Sequence, residues 1–134
     1  MNPDIEAIQD LLVRYATAID TRDWELFRTC FSEDAVTDYG DVGSWTDVEG
    51  ITAFMEKAHE PFGDTNHMLS NFVVEVDGDR AQATSYVHVV LALKGSVAGW
   101  VDSVGRYGDT LVRTPGGWRI AERRTRLTRT ITGS

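Results

Sequence analysis

Apolar positions change period once along this chain, from the 3.6 of helices in the first half to the two of strands in the second. Ile5, Ile8, Leu12, Tyr15 and Ile19 share one face of a helix that Pro3 suits at its first turn. Asp23 is placed to cap a second, short helix over Trp24–Phe31. Ala35–Tyr39 reads as a short strand and Gly40–Ser44 as a loop. Asp47–His59 reads as a third helix, with Ile51, Phe54, Met55 and Ala58 facing inward and Pro61 and Gly63 ending it.

The polar stretch Thr65-Asn66-His67 leads into the strands. Phe72, Val74 and Val76 alternate up to Asp77-Gly78, a hairpin turn signal, and the return strand carries Ala81, Ala83, Ser85, Val87, Val89 and Leu91. Lys94-Gly95-Ser96 and Thr114-Pro115-Gly116-Gly117 make two more turns, around strands over Trp100–Arg113 and Trp118–Ile131. This order predicts one α+β domain over residues 1–134, in which N-terminal helices pack on a strongly curved antiparallel sheet. A half-open cone of that kind holds an internal pocket between helix and sheet.

A chain of 134 residues, 42% of them hydrophobic, builds one core. No stretch approaches the ~20 apolar residues of a membrane span, and the N-terminus lacks the pattern of a secretion signal. The single cysteine, Cys30, lies in an apolar run and reads as a buried structural thiol of a cytoplasmic protein. The net charge of −8 argues against nucleic acid as a partner, which needs a basic footprint. Five of the thirteen basic residues (Arg119, Arg123, Arg124, Arg126 and Arg129) nevertheless fall in the last strand, where one can turn inward toward a ligand.

Five polar residues have no place in an ordinary core: Tyr15, Asp20, Tyr39, His67 and Arg126. Histidine accepts a proton near neutral pH if it is neutral and held in one tautomer. A carboxylate on its other nitrogen meets that need and stabilises the imidazolium that forms. Phenols can donate to a carbonyl oxygen and stabilise an enolate. Asp20 lies on the flank of its helix's apolar stripe. His59 ends a helix, where the dipole accounts for it, and the three histidines are too scattered for a metal site. Gly105 and Gly108 read as bulges in a bent strand.

The stretches Tyr15-Ala-Thr-Ala-Ile-Asp20-Thr-Arg-Asp-Trp24, Phe31-Ser-Glu-Asp34-Ala-Val and Asp38-Tyr39 resemble the SnoaL-like branch of the nuclear-transport-factor-2-like superfamily. Thr65-Asn66-His67, Gly105-Arg106-Tyr107-Gly108-Asp109 and Gly116-Gly117-Trp118-Arg119-Ile120-Ala121 extend the likeness over nearly the whole chain. The resemblance implies a cone-shaped α+β barrel. Its polar set is most similar to that of the bile-acid dehydratases, whose Tyr, Asp, Tyr, His and Arg match Tyr15, Asp20, Tyr39, His67 and Arg126. Scytalone dehydratase and the hexachlorocyclohexane dehydrochlorinase share the Asp and His. The chain departs from scytalone dehydratase in lacking its second pocket histidine and in placing Leu93, Arg106 and Gly108 at its late polar positions.

The resemblance implies dehydratase-type β-elimination beside a carbonyl, on an apolar molecule of steroid or polyketide size, by a homodimer or trimer without a cofactor. Trp24, Phe54, Met55, Met68, Phe72, His88 and Trp100 are the candidate pocket lining. A SnoaL-type cyclase, a ketosteroid-isomerase-like proton shuttle and a non-catalytic binding domain are the alternatives, separable by the mass of the product or its absence.

Overall fold

The computed structural model describes residues 2–95 and 99–134; Ser96 of the expected Lys94-Gly95-Ser96 turn lies outside them. The elements run α1 (Pro3–Asp20), α2 (Trp24–Arg28), β1 (Phe31–Asp38), a 3-10 turn (Gly40–Val42), β2 (Ser44–Trp45), α3 (Val48–Ala58), β3 (Phe62–Asp77), β4 (Arg80–Leu93), β5 (Trp100–Thr114) and β6 (Gly117–Gly133). Each helix starts on a polar cap. The side chains of Asn2, Asp23 and Asp47 accept from the amides of Asp4, Leu26 and Gly50, which satisfies backbone donors that have no partner inside the helix.

Among the described residues one sheet of six strands holds the order β2-β1-β6-β5-β4-β3. It is antiparallel except where β1 runs parallel to β6, which corrects the expectation of an all-antiparallel sheet. Pairing the first long strand with the last is a non-local contact, and no turn signal announces it. As the sequence indicates, the residues around His67 open the run of strands, with β3 starting earlier, at Phe62. Among the described residues no helix is long and apolar enough to cross a membrane.

The sheet bends at bulges. Asn71 (φ 54°) lies at the register shift between Ser70 and Val73, and β6 carries extra residues at Ala121 and Thr128. Gly105 faces the second of these: a Cβ there would stand 2.5 Å from the Arg126 carbonyl oxygen, so only glycine fits. Gly108, by contrast, pairs with Arg124 in unbroken register and is no bulge. Curvature wraps the sheet around α1, whose Ile8, Leu11, Leu12, Tyr15, Ala18 and Ile19 are buried. Cys30 lies in the same core, and burial pushes its thiol up to about 11, as suits a structural thiol.

Candidate functional site

Helix α1 ends at Asp20, and the carboxylate reaches across to β3, where Thr65 and His67 occupy alternate positions on the inner face. His67 donates its Nδ1–H to Asp20 Oδ1 at 2.8 Å and its backbone N–H to Oδ2 at 2.8 Å. The Thr65 hydroxyl donates to Oδ1 at 3.0 Å. Burial works to raise the Asp20 pKa, but the His67 and Thr65 hydrogen bonds outweigh it and hold the carboxyl below its usual value. An ionised carboxylate can only accept, so the imidazole proton sits on Nδ1 and Nε2 is the basic nitrogen. The His67 side chain is 7% exposed and that of Asp20 21%.

A second imidazole stands beside the first. His59 follows α3, is buried, and donates Nδ1–H to the Met55 carbonyl at 2.8 Å. Its ring centroid lies 5.8 Å from that of His67 and 6.0 Å from Trp24. Burial lowers its pKa, so it is neutral at neutral pH. A favourable charge–dipole interaction therefore does not explain it; the bond to Met55 does. A depression of about 470 Å³ lined by Asp20, Trp24, His59 and Phe62 opens on this side.

Five residues up α1, roughly 7.5 Å along the helix axis, three phenols converge. The Tyr15 hydroxyl lies 2.8 Å from that of Tyr39 and 3.4 Å from that of Tyr107. The Arg123 guanidinium sits over the rings of Tyr15 and Tyr107, 4.1 and 3.8 Å from their centroids. Its Nε and Nη2 donate to the two oxygens of Asp109 at 2.7 and 2.9 Å, and both side chains are fully buried. Burial alone would lower the Arg123 pKa, but the Asp109 carboxylate raises it well above its ordinary value.

Among the described residues Arg123 Nη1 has no hydrogen-bond partner, nor do Thr37 Oγ1, Ser85 Oγ and Thr125 Oγ1. Thr37 is the cross-strand neighbour of Arg123, and Ser85 and Thr125 are those of Tyr107, so these atoms form one polar floor. A depression of about 390 Å³ between the 3-10 turn and β6 is lined by Tyr39, Thr125, Arg126 and Leu127, so Thr125 and Tyr39 border both it and the floor.

Burial pushes the pKa values of Tyr15, Tyr39 and Tyr107 well above the usual value of about 10, so all three are proton donors at neutral pH. Raised values contribute stability below pH ~10 that is lost as the unfolded chain ionises above it. In a spectrophotometric titration, phenolate absorbance from these three should appear together with unfolding; their titration before any loss of circular dichroism would contradict the cluster.

The sequence reading placed Arg126 beside the phenols; it lines the same depression as Tyr39 and Thr125, but Arg123 is the arginine that meets the phenols. Arg126 is exposed and pairs with Arg106 on the outer face. The bulge at Ala121 shifts the alternation of β6, so Trp118 and Ile120 are followed inward by Arg123 and Thr125 rather than by even-numbered residues. The bulge at Asn71 acts likewise on β3: Phe72 points in, but Met68, which would share its face in an unbroken strand, is 46% exposed on the outside.

His88 is cross-strand partner to Met68 on that outer face and bonds Asp102 at 3.1 Å. Trp100 is also exposed, next to Gly133. These three are not pocket walls. Trp24, Phe54, Met55 and Phe72 do pack at the core, with Phe54 4.4 Å from the ring of Trp45. Sequence reasoning missed Thr65, His59, Tyr107, Asp109 and the inward role of Arg123. For Tyr107 and Asp109 a signal existed, since both fall in phase with Leu111 on β5.

Comparison with known proteins adds a family to this geometry. The profile of the SnoaL-like domain matches residues 2–124. A relative in Mycobacterium tuberculosis, an uncharacterised protein, is 35% identical over 120 residues, which are 87% of this chain and 80% of that protein. Among solved structures, a candidate aromatic ring hydroxylase from Novosphingobium aromaticivorans is 31% identical with a TM-score of 0.87, covering 98% of this chain and 93% of its own. A candidate scytalone dehydratase from the same organism has a TM-score of 0.87 at 24% identity, over 94% of this chain and 85% of its own. A hexachlorocyclohexane dehydrochlorinase from Novosphingobium barchaimii has a TM-score of 0.83 at 19% identity, over 95% and 88%. The last two are similar in fold.

Proposed function

This chain belongs to the SnoaL-like domain family, and from that premise we propose that it is a lyase that eliminates water beside a carbonyl on an apolar small molecule. His67 Nε2 takes the proton from the carbon next to the carbonyl. Asp20 keeps the imidazole in the tautomer that leaves Nε2 free and stabilises the imidazolium. The electron pair of the C–H bond passes into an enolate, whose oxygen receives a hydrogen bond from the Tyr15–Tyr39 phenol pair, one donating to the other and the second to the enolate, near the Arg123 guanidinium. When the enolate collapses, a carbon–carbon double bond forms and the β-hydroxyl leaves with the C–O electron pair. It takes the proton from His67 and departs as water. The step needs no cofactor, because the carbonyl itself is the electron sink.

The observation that carries this reading is the 2.8 Å bond between His67 Nδ1 and a carboxylate held ionised. The fold likeness to proteins described as a dehydratase and a dehydrochlorinase supports it, since both names denote eliminations. The test is mass spectrometry after incubation with a panel of bicyclic and steroidal β-hydroxy ketones. A product lighter by one water is expected. A product of unchanged mass would replace the reading by isomerisation or ring closure, and binding without turnover would replace it by a carrier function.

A further inference from the structure

Arg22 stands two residues beyond α1 with a left-handed backbone (φ 60°), a conformation that glycine and asparagine adopt more readily than arginine. Glycine there would relieve the backbone, so the side chain is the part to explain. Its Nη1 donates to the Ile19 carbonyl and to Thr65 Oγ1, each at 2.8 Å, and its Nη2 donates to the Gly63 carbonyl at 2.7 Å. One guanidinium thus ties the end of α1 to the start of β3, the two elements that carry Asp20 and His67.

We infer that Arg22 is a positioning residue for the Asp20–His67 pair and acts through the Thr65 hydroxyl; the catalytic part of this inference rests on the function proposed above. A threonine hydroxyl has one proton. Because Thr65 Oγ1 accepts from Arg22, that proton is directed to Asp20 Oδ1, 3.0 Å away. Asp20 then receives three donors on its two oxygens, and the plane of the carboxylate is fixed to meet His67 Nδ1–H. Lysine cannot replace this fork. Its ammonium keeps the charge but cannot span two carbonyls and a hydroxyl from one planar group.

The test reads the imidazole protons directly, by nitrogen-15 and proton NMR on histidine-labelled protein, so it needs no substrate. The wild type should show slowly exchanging Nδ1–H signals from His67 and from His59, the first identified by its loss in His67→Gln. In Arg22→Lys and in Thr65→Val the His67 signal should vanish by exchange, while Thr65→Ser keeps it. The His59 signal, which depends on Met55, should persist in all of them and so report an intact fold. With a turned-over substrate, kcat should fall about 10²-fold in Arg22→Lys with KM little changed, the scale expected of a misplaced catalytic group.

A His67 signal unchanged in both Arg22→Lys and Thr65→Val would overturn the inference. Recovery of kcat by lysine would also overturn it, because charge rather than geometry would then be at work. Absence of elimination activity in the wild type, with the NMR result as expected, would remove the proposed function and leave the positioning role.

Discussion

Truncating Asp109 to alanine should destabilise the domain by about 3–5 kcal/mol, the cost of leaving one member of a buried ion pair without its partner. Arg123 and Asp109 are both fully buried, and the guanidinium is enclosed by the rings of Tyr15 and Tyr107. Removal of the carboxylate strands a positive charge in the core. Against a typical total stability of about 5–15 kcal/mol, that loss is enough to populate the unfolded state. Urea denaturation checks it directly. Replacing both residues by apolar ones, as in Arg123→Met with Asp109→Leu, should recover much of the loss, because the desolvation cost disappears along with the attraction. A single variant with near-native stability would mean that the pair is hydrated in solution.

His67→Gln and Asp20→Asn should each lower kcat by about 10²–10⁴-fold, the usual worth of a positioned acid–base group. The asparagine variant is the more informative. Three donors converge on the Asp20 carboxylate: His67 Nδ1–H and the Thr65 hydroxyl on Oδ1, and the His67 backbone N–H on Oδ2. An amide has one accepting oxygen. The backbone N–H cannot release its proton, so the oxygen goes to it and the NH₂ group faces Nδ1. The imidazole must then carry its proton on Nε2, where the base should be. Asp20→Asn should therefore fold and bind ligand while losing turnover. Full activity in this variant would sink the assignment of His67 as base.

The helices, the hairpins and the burial of the first helix were legible because they are local, set by the 3.6-residue period and by Asp-Gly and Pro-Gly-Gly turns. Asp20 and His67 were legible as a pair only through the family resemblance, since 47 residues separate them and neither neighbourhood points at the other. What could not be read was the phase of the bent strands. One unpaired residue at Ala121 makes Arg123, not Arg126, the inward arginine, and one at Asn71 separates Met68 from Phe72. A bulge inverts every side chain beyond it and leaves no signature in hydrophobic periodicity. Asp109 falls in phase with Leu111, yet that phase does not by itself mark it as buried. A lone aspartate on a strand is ordinarily solvated, and only the register that sets it beside Arg123 makes its burial possible.

Removal of a carbon-bound proton by His67 Nε2, held by Asp20, is best followed by exchange with heavy water, by NMR on a β-hydroxy ketone that the protein turns over. Deuterium should enter beside the carbonyl, or that proton should leave with the departing water, at a rate that falls by at least ~10²-fold in both His67→Gln and Asp20→Asn. Equal rates in the wild type and His67→Gln would contradict it and place the base elsewhere in the cone.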